Sequence, residues 1–348
     1  MSPGEVPKVP GRHLLSVADL GAEGIEEVLH VSDAFVEVGR RAIPKVPSLR
    51  GRTVVTLFAE QSTRTRLSFE TAAKRLSADV MTFGVDTSSV AKGESLRDTV
   101  ETVAAMGVDA FVVRHPAAGA PAAVARWVEA AVVNAGDGWH EHPTQALLDC
   151  YTIRQVLAER RGRRLEDEGV GCFEGLRVTV VGDVRHSRVA RSLVLALGAL
   201  GAVVTLVVPG SLLPPSLEGW PVAAVSHDLD TALGTSDVCY LLRLQTERGA
   251  GSFLPSVREY CAGFGLTARR AALLPDDALV MHPGPMNRGV EIADDVADLP
   301  RSVVLQQVAN GVAVRMAVLF MLLGPSGGAG LGSAAALDGP AAPGADGG

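Results

Sequence analysis

The chain has 348 residues, of which 47% are hydrophobic and 20% charged, the balance of a folded globular protein long enough for two domains. Its formal net charge of -7 and its pI of about 5.7 lack the basic excess that is usual for nucleic-acid binders. We therefore expect small ligands and no nucleic-acid partner.

The four cysteines stand apart in the sequence, so their spacing predicts neither a disulfide framework nor a metal site. Free thiols suit a reducing, cytoplasmic location, and the first residues lack the basic and apolar regions of a signal peptide. Residues 303–323 are the most apolar segment, but polar side chains interrupt them, which predicts a buried helix and no membrane partner. The interruptions are Gln306, Gln307, Asn310 and Arg315.

Strand-like and helix-like runs alternate through the first half of the chain, after Pro/Gly-rich residues 1–12. The hydrophobic pattern predicts helices over 16–40, 64–77, 95–106, 120–130 and 143–157, and strands over 54–58, 79–83, 109–113 and 131–134. Such alternation is typical of a parallel sheet with ligands at the carboxyl ends of its strands.

A charged, glycine-containing linker over residues 159–174 precedes a second alternating region. Its predicted strands are 177–181, 203–208, 238–242 and 279–281, with helices at 187–200 and 303–323. We predict an α/β fold of two domains, each a parallel sheet flanked by helices, with the active site in the cleft between them. The expected divisions are 1–150, 151–302, a helix 303–323 returning to the first domain, and a disordered tail 324–348.

The most informative stretch, Phe58 to Arg66, follows the first predicted strand and runs into a helix. This geometry points free backbone N–H groups and the positive end of the helix dipole into the corner, where an anion is the natural occupant. Three hydroxyls and Arg64 could surround a phosphate, whereas an ordinary N-cap would explain only one hydroxyl. The corner therefore favours phosphate binding.

Polar motifs follow the other predicted strands as well. Two of these residues also have structural interpretations: His142 could cap a helix, and Arg188 could be a surface arginine. Gly182 follows a strand but opens no G-x-G-x-x-G pattern, so a dinucleotide-dependent oxidoreductase is disfavoured. The motifs are Lys92-Gly93-Glu94, Arg114-His115, His142-Pro143-Thr144-Gln145, Gly182-Asp183 with Arg188, Arg243-Leu244-Gln245 and His282-Pro283-Gly284-Pro285.

These motifs, in this order over about residues 12–323, resemble those of the aspartate and ornithine carbamoyltransferase family. The resemblance implies transfer of a carbamoyl group from carbamoyl phosphate to an amino acid, with no cofactor, metal or protein nucleophile. Lys92, Arg243 with Gln245, and Gly284 in place of the cysteine of the ornithine enzymes favour L-aspartate as acceptor. A dicarboxylate needs cations, whereas the ammonium of ornithine would need an acid. The implied product is N-carbamoyl-L-aspartate, on the route to pyrimidines.

The resemblance also implies a role for each motif. The catalytic residues are Arg64, Thr65, Arg114 and His142, with His142 a hydrogen-bond donor rather than a base. Carbamoyl phosphate is held by Ser62, Thr63, Arg64, Thr65, Arg114, His142, Gln145, Ser88 and Lys92. L-Aspartate is held by Lys92, Arg188, Arg243, Gln245, Pro283 and Gly284. Gln145 and the carbonyls of Pro283 and Gly284 suit the carbamoyl NH2.

Two further expectations concern the surroundings of the site. Glu60 is expected to be an ion-pair partner that orients Arg188 or Arg248. Gly284 replaces a leucine seen in some members, and it should be tolerated because the residue acts through its carbonyl. His115, His140 and His186 have no predicted role.

Members of the family are trimers, which implies a homotrimer in which Ser88 and Lys92 reach a neighbouring subunit's site. A larger assembly with dihydroorotase or regulatory chains stays open. Two other functions also stay open: ornithine carbamoyltransferase, and a catalytically silent scaffold that binds carbamoyl phosphate. Loss of site residues would indicate the scaffold, and none is lost.

Overall fold

The computed structural model describes residues 11–84, 94–245, 253–254 and 256–324. The predicted positions Ser88, Lys92 and Arg248 lie outside these residues, as does the predicted tail beyond Gly324. The described chain forms two parallel β-sheets, each flanked by helices, which confirms the predicted fold class.

The first domain is a four-stranded parallel sheet with the strand order β2-β1-β3-β4. Its strands are rich in buried valine, as expected for a parallel sheet covered by helices on both faces. Its elements are α1 (Gly21–Arg40), β1 (Thr53–Phe58), α2 (Thr63–Arg75), β2 (Asp79–Gly84), α3 (Leu96–Ala104), β3 (Ala110–His115), α4 (Ala120–Trp127), β4 (Ala131–Asp137) and α5 (Pro143–Arg160).

The second domain is a five-stranded parallel sheet with the order β7-β6-β5-β8-β9. Its elements are β5 (Arg177–Val181), α6 (Arg188–Ala199), β6 (Val203–Val207), β7 (Ala224–Ser226), α7 (Leu229–Leu233), β8 (Val238–Leu241), α8 (Val257–Phe264), α9 (Ala268–Ala271), β9 (Leu279–Met281) and α10 (Asp294–Ala297).

Each sheet has a point where the direction of strand addition reverses. In the first sheet the reversal falls between β1 and β3, and in the second sheet it falls between β5 and β8. The loops that follow such strands diverge to opposite faces and leave a crevice at their carboxyl ends. The segments after β1, β3, β5 and β8 carry most of the predicted ligand-binding residues.

A long helix, α11 (Val304–Leu323), closes the described chain and packs against α1, α2 and α5. Phe320 meets Phe35 of α1 edge to face, with ring centroids 5.6 Å apart. Among the described residues, α11 is the one helix long and apolar enough to cross a bilayer, yet 72% of its most apolar window is buried inside the protein. Its burial is that of a core helix.

Helix α5 connects the two domains. It is buried along nearly its whole length and packs against β4, α1 and α11 and against α6 of the second domain. The predicted boundary between residues 150 and 151 falls inside this helix, and the division stays a prediction.

The elements differ from the sequence pattern mainly at their ends and in the second domain. Helix α1 begins at Gly21 rather than residue 16, and β4 runs through Asp137 although its last residues are poor strand formers. The pattern did not predict β7 or the helices α7 to α10, which have three to eight residues each.

Replacing Phe35 by alanine tests the packing of α1 on α11. We expect the free energy of unfolding to fall by about 3–5 kcal/mol, since a buried aromatic ring is lost and a cavity is left. Ile43→Ala is the control, because Ile43 is 75% exposed, and it should change stability by less than about 0.5 kcal/mol. Equal effects of the two substitutions in urea unfolding would contradict the packing argument.

Candidate active site

A cleft of about 620 Å³ lies between the two sheets, at the carboxyl ends of their strands. It also receives side chains from α11. Every predicted site residue that the structure describes lines this cleft, namely Ser62, Thr63, Arg64, Thr65, Arg114, His142, Gln145, Arg188, Arg243, Gln245, Pro283 and Gly284.

The corner between β1 and α2 presents the start of a helix to the cleft. Helix α2 begins at Thr63, and the Ser62 hydroxyl makes no capping hydrogen bond to the described helix. The first N–H groups of α2 therefore face the cleft together with the hydroxyls. Arg66, on the next turn, lies 3.8 Å from Glu70 in an ion pair and does not line the cleft.

Arg188 is buried, with only 4% of its side chain exposed, and it is the first residue of α6. Its Nη2 donates to both carboxylate oxygens of Glu60, at 2.8 and 2.6 Å. The ion pair predicted between Glu60 and Arg188 is confirmed, and the surface-arginine alternative is excluded. Because Glu60 follows β1 and Arg188 opens α6, this pair joins the two domains.

Arg114, at the end of β3, lies beside the same carboxylate. Its Nη2 is 3.8 Å from Glu60 Oε1, and its Nη1 donates to the carbonyl of Ala135 at 3.2 Å. One carboxylate thus faces two guanidinium groups, which leaves positive charge in the cleft for an incoming anion.

Gly136 makes this arrangement of two arginines sterically possible. A Cβ atom at this position would lie 2.9 Å from Arg188 Nη1 and 3.1 Å from Arg114 Nη1, and the backbone φ is +117°. Only glycine combines this conformation with such close approach. Gly136 was not among the predicted site residues; the available signal was a glycine two residues after the predicted strand 131–134.

Burial lowers the pKa values of both arginines, and like charges lower that of Arg114 further. The pKa of Arg114 falls to about 9, chiefly through burial and then through the positive charges of Arg188, Arg315 and Arg64. Burial also lowers the pKa of Arg188 to about 10. Each guanidinium would be stabilised by a bound anion.

His142 sits at the start of α5 and is a neutral imidazole. Burial, followed by the charges of Arg114, Arg315 and Arg188, holds its pKa well below 6.5. Its side chain makes no capping hydrogen bond to α5, and its Nδ1 has no hydrogen-bond partner within the described residues. A neutral, weakly basic ring is suited to a hydrogen bond with a ligand rather than to accepting a proton.

The backbone of His142 is held by a chain of hydrogen bonds. Its N–H donates to Ser192 Oγ at 2.9 Å, and that hydroxyl donates to Glu141 Oε2 at 3.0 Å. Glu141 also accepts from the Ser16 hydroxyl and from the N–H of Val17, at 2.5 and 3.1 Å. The ring therefore enters the cleft from a position set by three segments of the chain.

Hydrogen bonds constrain the loop after β9. His282 Nδ1 accepts from the N–H of Gly284 at 2.8 Å, and His282 Nε2 lies 3.2 Å from Glu291 Oε1. Gly284 has φ +64°, and a Cβ there would lie 3.4 Å from Arg64 Cζ. Glycine is thus favoured at this position, and its carbonyl is presented by a constrained loop.

Arg243 and Gln245 follow β8 and approach the first domain across the cleft. Burial, and then the nearby charge of Arg243, lowers the pKa of Arg64. The carbonyl of Leu244, between them, accepts from Asn287 Nδ2 at 3.3 Å, which links this segment to the loop after β9.

Arg315 of α11 lines the cleft, whereas the sequence pattern of residues 303–323 predicts only a buried helix. Its Nη1 donates to Ser68 Oγ at 2.9 Å and to the carbonyl of Gly311 at 3.1 Å, and its Cζ lies 5.1 Å from the ring centroid of Phe69. Burial lowers its pKa to about 10. The sequence feature that could have pointed to Arg315 as a site residue is an arginine inside an apolar segment.

The three histidines without a predicted role bond elsewhere. His115 Nδ1 accepts from the N–H of Ala117 at 3.0 Å, His140 lies 3.1 Å from Asp137, and buried His186 lies 2.8 Å from Asp183. No group of three or more His, Cys, Asp or Glu side chains arranged to hold a metal occurs in the part of the chain that the structure describes.

Family models match both domains of the chain. Residues 12–155 match the carbamoyl-P binding domain, and residues 174–322 the Asp/Orn binding domain, of aspartate/ornithine carbamoyltransferases. The chain therefore belongs to the aspartate/ornithine carbamoyltransferase family, which confirms the resemblance seen in its motifs.

The names of individual relatives are more specific than those of the family models. The aspartate carbamoyltransferase catalytic subunit of Parafrankia sp. (strain EAN1pec) is 59% identical over 315 residues, which cover 90% of this chain and 97% of the relative. The crystal structure of Trypanosoma cruzi aspartate transcarbamoylase with carbamoyl phosphate has a TM-score of 0.80 at 31% identity, covering 92% and 99% of the two chains. The same enzyme with N-(phosphonacetyl)-L-aspartic acid has a TM-score of 0.78 at 31% identity, covering 90% and 97%.

Replacing Gly136 by alanine tests how closely the two arginines must approach. The added methyl group should displace Arg114 and Arg188 and weaken the binding of inorganic phosphate by at least roughly tenfold, as measured by calorimetry. Gly51→Ala is the matched control: Gly51 also has a positive φ, of +80°, but no heavy atom lies within 4 Å of its Cβ position. If both variants bind phosphate equally, close packing against Gly136 is not needed.

Proposed function

We propose that this chain catalyses the transfer of the carbamoyl group of carbamoyl phosphate to the amino group of L-aspartate, giving N-carbamoyl-L-aspartate and phosphate. The observation that carries the proposal is a single cleft in which buried cations from both domains meet around Glu60. The 59% identical relative and the ligands of the neighbouring structures support this pair of substrates over ornithine.

The first domain supplies the site for carbamoyl phosphate. The phosphate lies at the start of α2, where Ser62, Thr63, Arg64 and Thr65 offer hydroxyl, guanidinium and backbone N–H donors, and Arg114 completes the set. Neutral His142 donates to the carbonyl oxygen of the carbamoyl group, close to Thr65 and Arg114.

The second domain supplies the site for L-aspartate. Arg188 binds one carboxylate, and Arg243 with Gln245 binds the other. The Glu60 carboxylate keeps the Arg188 guanidinium in one orientation before substrate arrives, so less conformational entropy is lost on binding. The carbonyls of Pro283 and Gly284 accept hydrogen bonds from the carbamoyl NH2.

The reaction then needs positioning and charge stabilisation. The amino group of aspartate attacks the carbamoyl carbon, a C–N bond forms, and the bond from that carbon to the phosphate oxygen breaks. The amine proton leaves with the phosphate. Holding two anions in contact supplies a high effective concentration, while Thr65, Arg114 and His142 stabilise the negative charge that develops on the carbonyl oxygen.

The pathway, the cellular location and the assembly of the enzyme are also part of the proposal. Carbamoyl aspartate formation belongs to pyrimidine biosynthesis, which suits a cytoplasmic enzyme. We propose a homotrimer in which Ser88 and Lys92, which lie outside the described residues, complete the site of a neighbouring subunit. Assembly with dihydroorotase or regulatory chains would build on that trimer.

Carbamoyl aspartate formation by the purified chain tests the proposed reaction. We expect turnover with L-aspartate, negligible turnover with L-ornithine, and strong inhibition by N-(phosphonacetyl)-L-aspartic acid. Arg243→Gln should raise the KM for aspartate by on the order of 100-fold, because a charge-assisted contact to a carboxylate is lost. Arg126→Gln, at an exposed position of α4, is the control and should leave the KM unchanged. Turnover with ornithine alone would refute the assignment.

Mixing two inactive variants tests the shared site. Lys92→Ala and Arg64→Ala chains should each lack activity, whereas hybrids formed by mixing them should regain part of it, since some sites then combine an intact Lys92 with an intact Arg64. Activity and oligomeric state are measured together, by assay and light scattering. Intact but inactive hybrid trimers would argue that each subunit supplies its own complete site.

A further inference from the structure

Asp149 lies fully buried on α5, one turn after Gln145, and accepts hydrogen bonds from three elements. Its Oδ1 accepts from Gln145 Nε2 at 3.0 Å and from Gln307 Nε2 at 2.7 Å. Its Oδ2 accepts from the Tyr240 hydroxyl at 2.6 Å. One carboxylate thus binds α5, α11 and β8 together beneath the cleft.

The carboxylate determines which way the neighbouring amides point. An ionised carboxylate can only accept hydrogen bonds, so the NH2 group of Gln145 must face Asp149 and its carbonyl oxygen must face away. Gln307 is turned in the same sense: its NH2 faces Asp149, and its Oε1 accepts from the N–H of His282 at 3.1 Å. His282 begins the loop that carries Pro283 and Gly284.

We propose that Asp149 is a positioning residue: it turns the Gln145 amide so that the carbonyl oxygen, and not the NH2, faces the cleft and accepts a hydrogen bond from the carbamoyl NH2. The inference rests on the proposed function and extends it to the choice of substrate. Gln145 then recognises an acyl phosphate that carries NH2, and a methyl group in the same place leaves the buried carbonyl oxygen of Gln145 unsatisfied.

The orientation depends on the protonation state of Asp149. Burial raises the pKa of Asp149 to about 7, against the hydrogen bonds of Tyr240, Gln307 and Gln145 and the positive charge of Arg315. Burial also raises the pKa values of Tyr240 and Cys150, so these two neighbours stay protonated. Below about pH 7 the carboxyl carries a proton; when that proton is on Oδ1, which accepts from both amides, one amide loses its acceptor and Gln145 can turn.

Asp149→Asn tests the inference through the choice of substrate. Asparagine presents an NH2 of its own, so it cannot accept from all three donors. We expect the KM for carbamoyl phosphate to rise roughly tenfold, while the inhibition constant of acetyl phosphate, which has a methyl group in place of the NH2, changes less than about twofold. A merely structural role would move both constants together.

The pH profile supplies an independent readout. In the wild-type chain, kcat/KM for carbamoyl phosphate should fall as the pH drops through about 7. This fall, the acid limb of the pH profile, should be absent in Asp149→Asn. Tyr240→Phe removes a hydrogen bond that favours the carboxylate, so it should move the limb to higher pH. Asp237→Asn is the matched control, because Asp237 lies just before β8 and pairs with Arg177 at the start of β5, and its profile should match that of the wild type.

The outcomes separate the inference from the proposed function. Absence of carbamoyl aspartate formation by the wild-type chain overturns the proposed function, and the inference with it. An active wild type whose Asp149→Asn variant shows equal changes for carbamoyl and acetyl phosphate, or retains the acid limb, overturns the inference alone. Thermal unfolding at pH 8 checks the fold. If Asp149→Asn does not fold, the shift or constancy of the limb in Tyr240→Phe decides.

Discussion

Mutual repulsion among partly buried guanidinium groups is the constraint on which this cleft depends. Burial lowers the pKa values of Arg114, Arg188 and Arg315, and the positive charges of Arg188, Arg315 and Arg64 lower that of Arg114 further. Glu60 offsets part of this charge, and the remainder is available to anions. The free protein therefore stores unfavourable electrostatic energy that two acidic substrates would relieve.

Three acidic side chains, of which Glu141 and Asp149 are buried and Glu60 is partly exposed, hold the two domains in register around that charge. Glu60 reaches Arg188, Glu141 reaches Ser192 of α6, and Asp149 reaches Tyr240 of β8. Hydrogen bonds of this kind are directional and costly to leave unmade, whereas the apolar packing of α5 and α11 is not directional. The apolar contacts make the domains stable together, and the polar contacts decide their relative placement.

Local chemistry accounts for how much of the site could be predicted. Hydroxyls and arginines at the end of a valine-rich strand are a local pattern, so the corner at Ser62 to Arg64 could be predicted. The same holds for the other site residues that follow strands. Gly136 and Arg315 were not assigned to the site. The role of Gly136 arises from side chains 22 and 52 residues away in sequence, and Arg315 enters the cleft from a helix whose pattern indicates only burial.

The sequence by itself determined the alternating strands and helices, the α/β class, the family and nearly all the cleft-lining motifs, because each of these depends on neighbouring residues or on local spacing. The tertiary structure brought Glu60 to Arg188, one of the two arginines expected beside it. It alone decided that Gly136 lets two arginines approach and that Asp149 faces two glutamines and a tyrosine. These contacts join elements that are far apart in the chain. Their distances and burial, and hence their pKa values, exist only once the sheets and the helices α5 and α11 have packed together.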